Sequence, residues 1–181
     1  FRVIVSYTET NFDNVTFNLL NSSGVNINGT KFNGSSSRAM NITGLAEGIY
    51  RLNLTVLDTA NNTNTSEQRT FTVDTTKPLI SFLGPSAHNG TNISSGNVTV
   101  RVSYTETNFG NVTISLRNNS ASLATINTTF LVGSGNTTAN FSHILLSDGN
   151  YTINVTVVDL ANNWNSTGDF AFTVESIRPL V

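Results

Sequence analysis

The sequence contains no cysteine. No disulfide can staple the chain, and no thiolate is available as a nucleophile or metal ligand. Charge is also scarce. Lys, Arg, Asp and Glu make up 11% of the 181 residues, and the formal net charge is −2. The nine Lys and Arg are scattered, so they offer no basic footprint for nucleic acid and no polybasic patch for a membrane. Apolar runs last only a few residues, far short of the roughly 20 that cross a bilayer. No stretch reads as a secretory signal, and Phe1 opens in the middle of a strand pattern, so the chain is expected to be an excerpt of something longer. The two histidines, His88 and His143, fall in different segments, with no second His or Cys at metal-ligand spacing. There is no Gly-rich phosphate loop, nucleophile elbow or H-E-x-x-H helix. These absences predict a chain that is not an enzyme, requires no cofactor and binds no nucleic acid.

Asn, Ser and Thr stand where charge is missing. The hydrophobic fraction, 38%, is slightly low for a globular chain. Its residues nevertheless alternate: Val98-Thr99-Val100-Arg101-Val102-Ser103-Tyr104 puts Val and Tyr on one face, as do 14–19 and 50–56 for their own apolar residues. Period two with β-branched residues, broken by Asn and Gly, reads as half-buried strands rather than disorder. No segment carries a helical apolar stripe. In the second half, strands are expected near 79–83, 97–104, 111–117, 123–131, 138–144, 151–158 and 169–174, the fourth in either of two sheets.

An internal repeat organises these strands. Ser6-Tyr7-Thr8-Glu9-Thr10-Asn11-Phe12 recurs 97 residues later as Ser103-Tyr104-Thr105-Glu106-Thr107-Asn108-Phe109. Gly48-Ile49-Tyr50, Asp58-Thr59-Ala60-Asn61-Asn62 and Phe71-Thr72-Val73 recur 101 residues later, so four residues entered a mid-repeat loop. Seven short strands per repeat of about 100 residues imply a two-sheet sandwich strung in tandem. The expected boundaries are 1–77 for the first unit, 78–177 for the second, and 178–181 for the start of a third, because Arg178-Pro179-Leu180-Val181 matches Lys77-Pro78-Leu79-Ile80. The first unit has no counterpart of 78–96. That first strand is expected either from preceding residues or from a neighbouring subunit. Tyr50 and Tyr151 each follow a Gly turn, the place of a tyrosine corner or of a plain core tyrosine.

Leu45-Ala46-Glu47-Gly48-Ile49-Tyr50, then Asp58-Thr59-Ala60-Asn61-Asn62, then Phe71–Pro78 resembles the tandem immunoglobulin-like repeats of bacterial and archaeal surface proteins, which read L-x-x-G-x-Y, D-x-A-G-N and V-D-x-x-x-P. Asn61 and Asn162 stand where that family has Gly, and Asn tolerates a left-handed turn. The resemblance implies an all-β chain of two tandem immunoglobulin-like β-sandwich domains, the first lacking its own strand A. It implies a stalk, filament, sheath or adhesin, extracellular and at a cell surface. The lack of disulfides suits a prokaryotic surface better than a eukaryotic secreted immunoglobulin domain.

Of 27 asparagines, 19 sit in N-x-S/T without proline between; with 47 Ser and Thr, chance gives about seven. They are Asn14, Asn21, Asn28, Asn33, Asn41, Asn53, Asn61, Asn64, Asn89, Asn92, Asn97, Asn111, Asn118, Asn127, Asn136, Asn140, Asn150, Asn154 and Asn165. Asn53, Asn97, Asn111 and Asn154 fall on the outward phase of expected strands, where Asn is otherwise disfavoured. Covalent N-glycans on such positions would supply the hydration that the sparse charges do not. Sequon density of this order most resembles archaeal surface proteins.

Acids gather at one expected pole. Asp74, Glu106, Asn108, Asp159 and Asn162 converge on the loops around one end of the second repeat, and oxygen donors of this kind suit Ca²⁺ at a junction between domains. The competing reading is that Asp58 and Asp159 cap their own turns. Trp164 is the single Trp, where the first repeat has Thr63. Three roles are consistent with these features: a structural unit of a glycosylated filament or stalk joined head-to-tail to copies of itself, an adhesin or lectin-like binding module for other cell surfaces, and a tile of a surface-layer lattice.

Overall fold

The computed structural model describes residues 2–33, 38–83, 90–119, 124–131, 136–143 and 146–178. Every regular element among them is a strand. None is a helix long and apolar enough to cross a membrane. The chain divides into two compact units, Phe1–Thr75 and Thr76–Val181.

Unit 1 contains β1 (Arg2–Val5), β2 (Phe12–Leu20), β3 (Asn26–Asn33), β4 (Arg38–Asn41), β5 (Gly48–Asp58), β6 (Thr63–Thr65) and β7 (Arg69–Val73). One sheet is the antiparallel pair β1–β4; the other runs β3-β2-β5, with β6 and β7 both against β5. Unit 2 contains β8 (Leu79–Phe82), β9 (Thr91–Ile93), β10 (Val98–Thr105), β11 (Phe109–Asn118), β12 (Ala124–Leu131), β13 (Asn136–His143), β14 (Gly149–Asp159), β15 (Trp164–Ser166) and β16 (Phe170–Val174). Its sheets are β13-β10-β8 and β12-β11-β14-β16-β9, with β15 also on β14. The fold is therefore all-β, two tandem immunoglobulin-like sandwiches. The strand at 124–131 pairs with β11, which settles the sheet that alternation left open. The three-residue strands β9 and β15 had no sequence signal, because three residues cannot display an alternation.

Period two builds the core. Val98, Val100, Val102 and Tyr104 of β10 are buried while the residues between them face outward. They meet Val112, Ile114 and Leu116 of β11 and Tyr151, Ile153, Val155 and Val157 of β14 in one cluster. Each such side chain contributes about 1.5–3 kcal/mol of burial. In unit 1 the buried cluster is smaller among the described residues: Val15, Phe17, Leu19, Met40, Ile42, Tyr50 and Leu52.

The difference lies at one flank. In unit 2, β8 covers the edge of β10, and β9 runs parallel along the edge of β16. Among the described residues, unit 1 has neither strand. Val3, Val5, Leu54 and Val56 stay half-buried, where their counterparts Val100, Val102, Val155 and Val157 are at most 1% exposed.

Turns repeat faithfully between the units. Tyr50 Oη donates to the Ala46 carbonyl at 3.0 Å and Tyr151 Oη to the Ser147 carbonyl at 2.8 Å, so both are tyrosine corners. Asn61 and Asn162 both adopt φ 67°, the left-handed turn for which the related repeats use Gly. Gly110 sits where a Cβ would lie 2.7 Å from the Val158 carbonyl oxygen, beside the register shift between Phe109 and Asn111.

Two outcomes follow for unfolding in urea. Unit 1, with its thinner core and uncovered flank, loses structure before unit 2, giving two transitions resolved by amide NMR. Tyr151→Phe removes a neutral hydrogen bond and should lower the second transition by about 1 kcal/mol, whereas Ile114→Ala, in the fully buried layer, should lower it by about 2–5 kcal/mol.

Candidate functional site: the asparagine-bearing faces

An N-x-T placed on a strand puts Asn and Thr on the same face, because side chains two apart share a side. The structure shows the consequence. Thr30 Oγ1 donates to Asn28 Oδ1 at 2.9 Å, and Thr156 Oγ1 to Asn154 Oδ1 at 3.2 Å. The hydroxyl engages the amide oxygen and leaves Nδ2, the atom a glycan bonds, directed elsewhere.

Asn28, Asn33, Asn41, Asn61, Asn64, Asn92, Asn97 and Asn150 are exposed. Asn21, Asn53, Asn111, Asn118, Asn154 and Asn165 are half-buried. Asn89, and the side chains of Asn127, Asn136 and Asn140, lie outside the described residues, as do His88 and the side chain of His143. Several of the half-buried amides already hold partners. Asn21 Oδ1 accepts the Ser23 and Val25 N–H groups at 3.0 and 2.9 Å and so caps a turn. Asn154 Nδ2 donates to Asp169 at 3.1 Å, and Asn165 Nδ2 to the Pro78 carbonyl at 2.9 Å.

Asn14 differs from the other sequon asparagines with described side chains, being only 3% exposed. It sits where the register shifts between Phe12 and Asn14, with β3 and β5 on either side of it. Its Nδ2 donates to Asp13 Oδ2 at 2.7 Å. A buried, engaged amide has no room for a sugar.

Sequence reasoning missed a polar ladder on the outer face of unit 1. Asn26 Nδ2 donates to Asn18 Oδ1 at 3.3 Å, Asn18 Nδ2 to Asn53 Oδ1 at 3.0 Å, and the Thr55 and Thr65 hydroxyls meet at 3.2 Å. Asn18 and Asn26 carry no sequon, so nothing marked them; only the register across β3, β2 and β5 aligns them.

The acids act chiefly as caps. Asp58 Oδ1 accepts the Ala60 and Asn62 N–H groups at 2.9 and 2.8 Å, and Oδ2 accepts Asn62 Nδ2 at 2.8 Å. Asp159 repeats this with Ala161 and Asn163, each bond 2.8 Å. Glu106 Oε1 accepts the Asn108 N–H at 2.8 Å. Within unit 2, Glu106 and Asp159 are both buried and bring one carboxylate oxygen each to within 4.8 Å of the other. Both Asp159 oxygens and one of Glu106 are thus committed to N–H donors, which matches turn capping better than the six to eight oxygens Ca²⁺ takes. Asn162 is exposed, and Asp74 lies at the end of unit 1, half-buried. A second capping pair joins the end of each unit to its own Gly turn. Glu47 Oε1 accepts the Thr75 N–H and hydroxyl at 3.1 and 2.6 Å, and Asp148 Oδ1 those of Ser176 at 2.9 and 2.6 Å.

Trp164 lies on β15 and is 57% exposed. The Lys77 ammonium stands 5.9 Å from its ring centroid.

No protein-family model matches this sequence, and no curated protein does. Among solved structures it is similar to the fibronectin(III)-like modules of CbhA from Clostridium thermocellum, at 12% identity over 96% of this chain and 84% of that one, with a TM-score of 0.47. It is similar to the FN1-FN3 domains of chicken CNTN1 at 10% identity over 96% of this chain and 62% of that one, with a TM-score of 0.48. It is also similar to BcpA, the major pilin subunit of Bacillus cereus, at 12% identity over 96% and 69%, with a TM-score of 0.32. Likeness at this level carries nothing about activity or partners; the sandwich assignment rests on the strand pairing above.

Two measurements check this site. Intact-glycopeptide mass spectrometry of native material should find glycan on exposed Asn28, Asn41, Asn61 and Asn97 and none on Asn14; an occupied Asn14 contradicts its burial. The second concerns pH. The Asn62 side chain and then its backbone N–H hold the Asp58 carboxyl below its usual range, and the Ser176 hydroxyl and N–H do the same for Asp148. A depressed carboxylate stabilises the fold above its unfolded pKa, near 3.9, and that contribution disappears as pH falls through the folded value. Urea midpoints of both units should therefore drop below about pH 4, and Asp58→Asn should flatten the drop of unit 1 alone.

Proposed function

We propose that this chain is a structural repeat module of a heavily N-glycosylated extracellular filament or stalk, assembled head-to-tail from like units at a cell surface. The observation that carries the reading is the placement of the sequons. Of the fifteen sequon asparagines with described side chains, only Asn14 is buried. The sequence holds nearly three times as many sequons as its Asn, Ser and Thr content gives by chance. In a chain with 11% charged residues, sugars on both sandwiches supply the hydration and mutual repulsion that ionised side chains supply elsewhere. Exposed Asn28 and Asn33 lie on β3, the edge strand of its sheet, where a glycan blocks pairing with another chain.

Exposed Trp164, beside Lys77 and without an aromatic counterpart in unit 1, favours a second reading as an adhesive module, since an open indole stacks on sugars and other apolar faces. Electron microscopy of native cell surfaces separates the readings. Threads that persist when Trp164→Ala is introduced support the structural role. A flat lattice, or loss of cell attachment with otherwise normal surfaces, supports a surface-layer tile or an adhesin instead.

A further inference from the structure

Trp164 has a defined row of neighbours across its sheet. On β15 it stands opposite Val158 of β14, and Val158 stands opposite Asn111 of β11. Val157 is fully buried, so Val158, one residue on, belongs to the outer face, and Asn111 and Trp164 share that face with it. Asn111 and Val158 are half-buried there, and Trp164 is exposed. Neighbouring strands lie roughly 4.8 Å apart, which puts Asn111 and Trp164 about 10 Å from each other with Val158 between them. The next two rows of the same face, Thr113–Thr156–Ser166 and Ser115–Asn154, carry only hydroxyls and amides. Val158 and Trp164 thus form a short apolar strip that starts beside a sequon asparagine.

The two units differ at both ends of this row together. The counterparts of Asn111 and Trp164 in unit 1 are Asn14 and Thr63. There Asp13 takes the Asn14 Nδ2 at 2.7 Å, the amide is buried, and a threonine stands in place of the indole. Unit 2 has Gly110 where unit 1 has Asp13, so the carboxylate that holds Asn14 has no equivalent beside Asn111. The unit whose asparagine is open carries the tryptophan, and the unit whose asparagine is closed does not.

Resting on the glycosylated reading above, we infer that the N-glycan of Asn111 folds back over Val158 and lays a sugar ring on the Trp164 indole, so that Trp164 is the bed for a glycan of its own chain. Attachment forms an N–C bond from Nδ2 to the anomeric carbon of an activated sugar donor, whose phosphate leaves with the bonding pair as Nδ2 gives up one proton. A pyranose presents C–H groups on its face and hydroxyls at its rim. The face lies on the indole as another apolar surface does, and the rim stays in water. The Lys77 ammonium, 5.9 Å from the ring centroid, offers donors to those hydroxyls. The glycan covers a large aromatic ring that the bare polypeptide leaves 57% exposed. An indole covered from within its own chain is not open to another cell.

Trp164 is the single tryptophan of the chain, so its fluorescence reports this contact alone. The test uses the 181-residue chain made in cells that N-glycosylate it, with occupancy at Asn111 read by glycopeptide mass spectrometry. Two variants remove the glycan by different routes: Asn111→Gln, and Thr113→Ala, which breaks the sequon and keeps the asparagine. Both should red-shift the Trp164 emission and raise its quenching by acrylamide several-fold. Asn97→Gln, which removes an exposed sequon just ahead of β10 in the other sheet, should change neither. Made without glycans, the parent chain and both variants should quench alike. An unoccupied Asn111, or the same rise in the unglycosylated chains, would overturn the inference. So would quenching that stays low in both variants, because the indole would then take its cover from elsewhere. Asn111 occupied with an unshielded indole counts against this inference and leaves the glycosylated filament standing. Glycan at Asn111 with a shielded indole, but bare sequons elsewhere, does the reverse.

Discussion

Closing the flank of the sandwich is the constraint on which the rest of this structure depends. Two facing sheets bury their inner faces against each other, but at the flank the apolar interior meets water unless a strand lies across it. In unit 2 the segment 79–93 does this twice over, as β8 on one sheet and β9 on the other. Val100, Val102, Val155 and Val157 are consequently shut off from solvent. Unit 1 has apolar residues at the same positions, Val3, Val5, Leu54 and Val56, and they stay half-buried because nothing described covers them. Among the described residues, the smaller buried cluster of unit 1 and the cavities along β1 lie at this flank.

Much of this was legible in the sequence, and the reason is physical. Alternation fixed which face of β10 and β14 is buried, since a register error of one residue would turn Val100 and Val155 outward. The repeat of Ser6–Phe12 as Ser103–Phe109 set two like sandwiches in tandem. The Gly turn before Tyr50 and Tyr151 and the Asp58 and Asp159 turns were readable because each uses a residue type suited to one backbone geometry. The parts that escaped depend on neighbours distant in sequence. Burial of Asn14 follows from a register shift against β5 that no local pattern announces. The Asn18–Asn53 ladder arises only once β2 and β5 align. The bonds that Asp159 accepts from Ala161 and Asn163 likewise depend on the left-handed turn at Asn162 being formed.

Weak charge and dense sequons belong to the same account. A strand-rich chain with unpaired edges and few ionised side chains has little to keep copies apart. Sugars on exposed asparagines would hydrate the broad faces of both sandwiches.

Residue-resolved amide hydrogen exchange on the 181-residue chain at low concentration tests this account most directly. If the flank of unit 1 is open, the amides of Val5, Ser6 and Thr8 exchange at nearly unprotected rates, while those of Val102, Ser103 and Thr105, ordered between β8 and β13, are retained until unit 2 unfolds. Equal protection of the two sets in a monomeric chain would mean that unit 1 closes its own flank, and the central claim would be wrong.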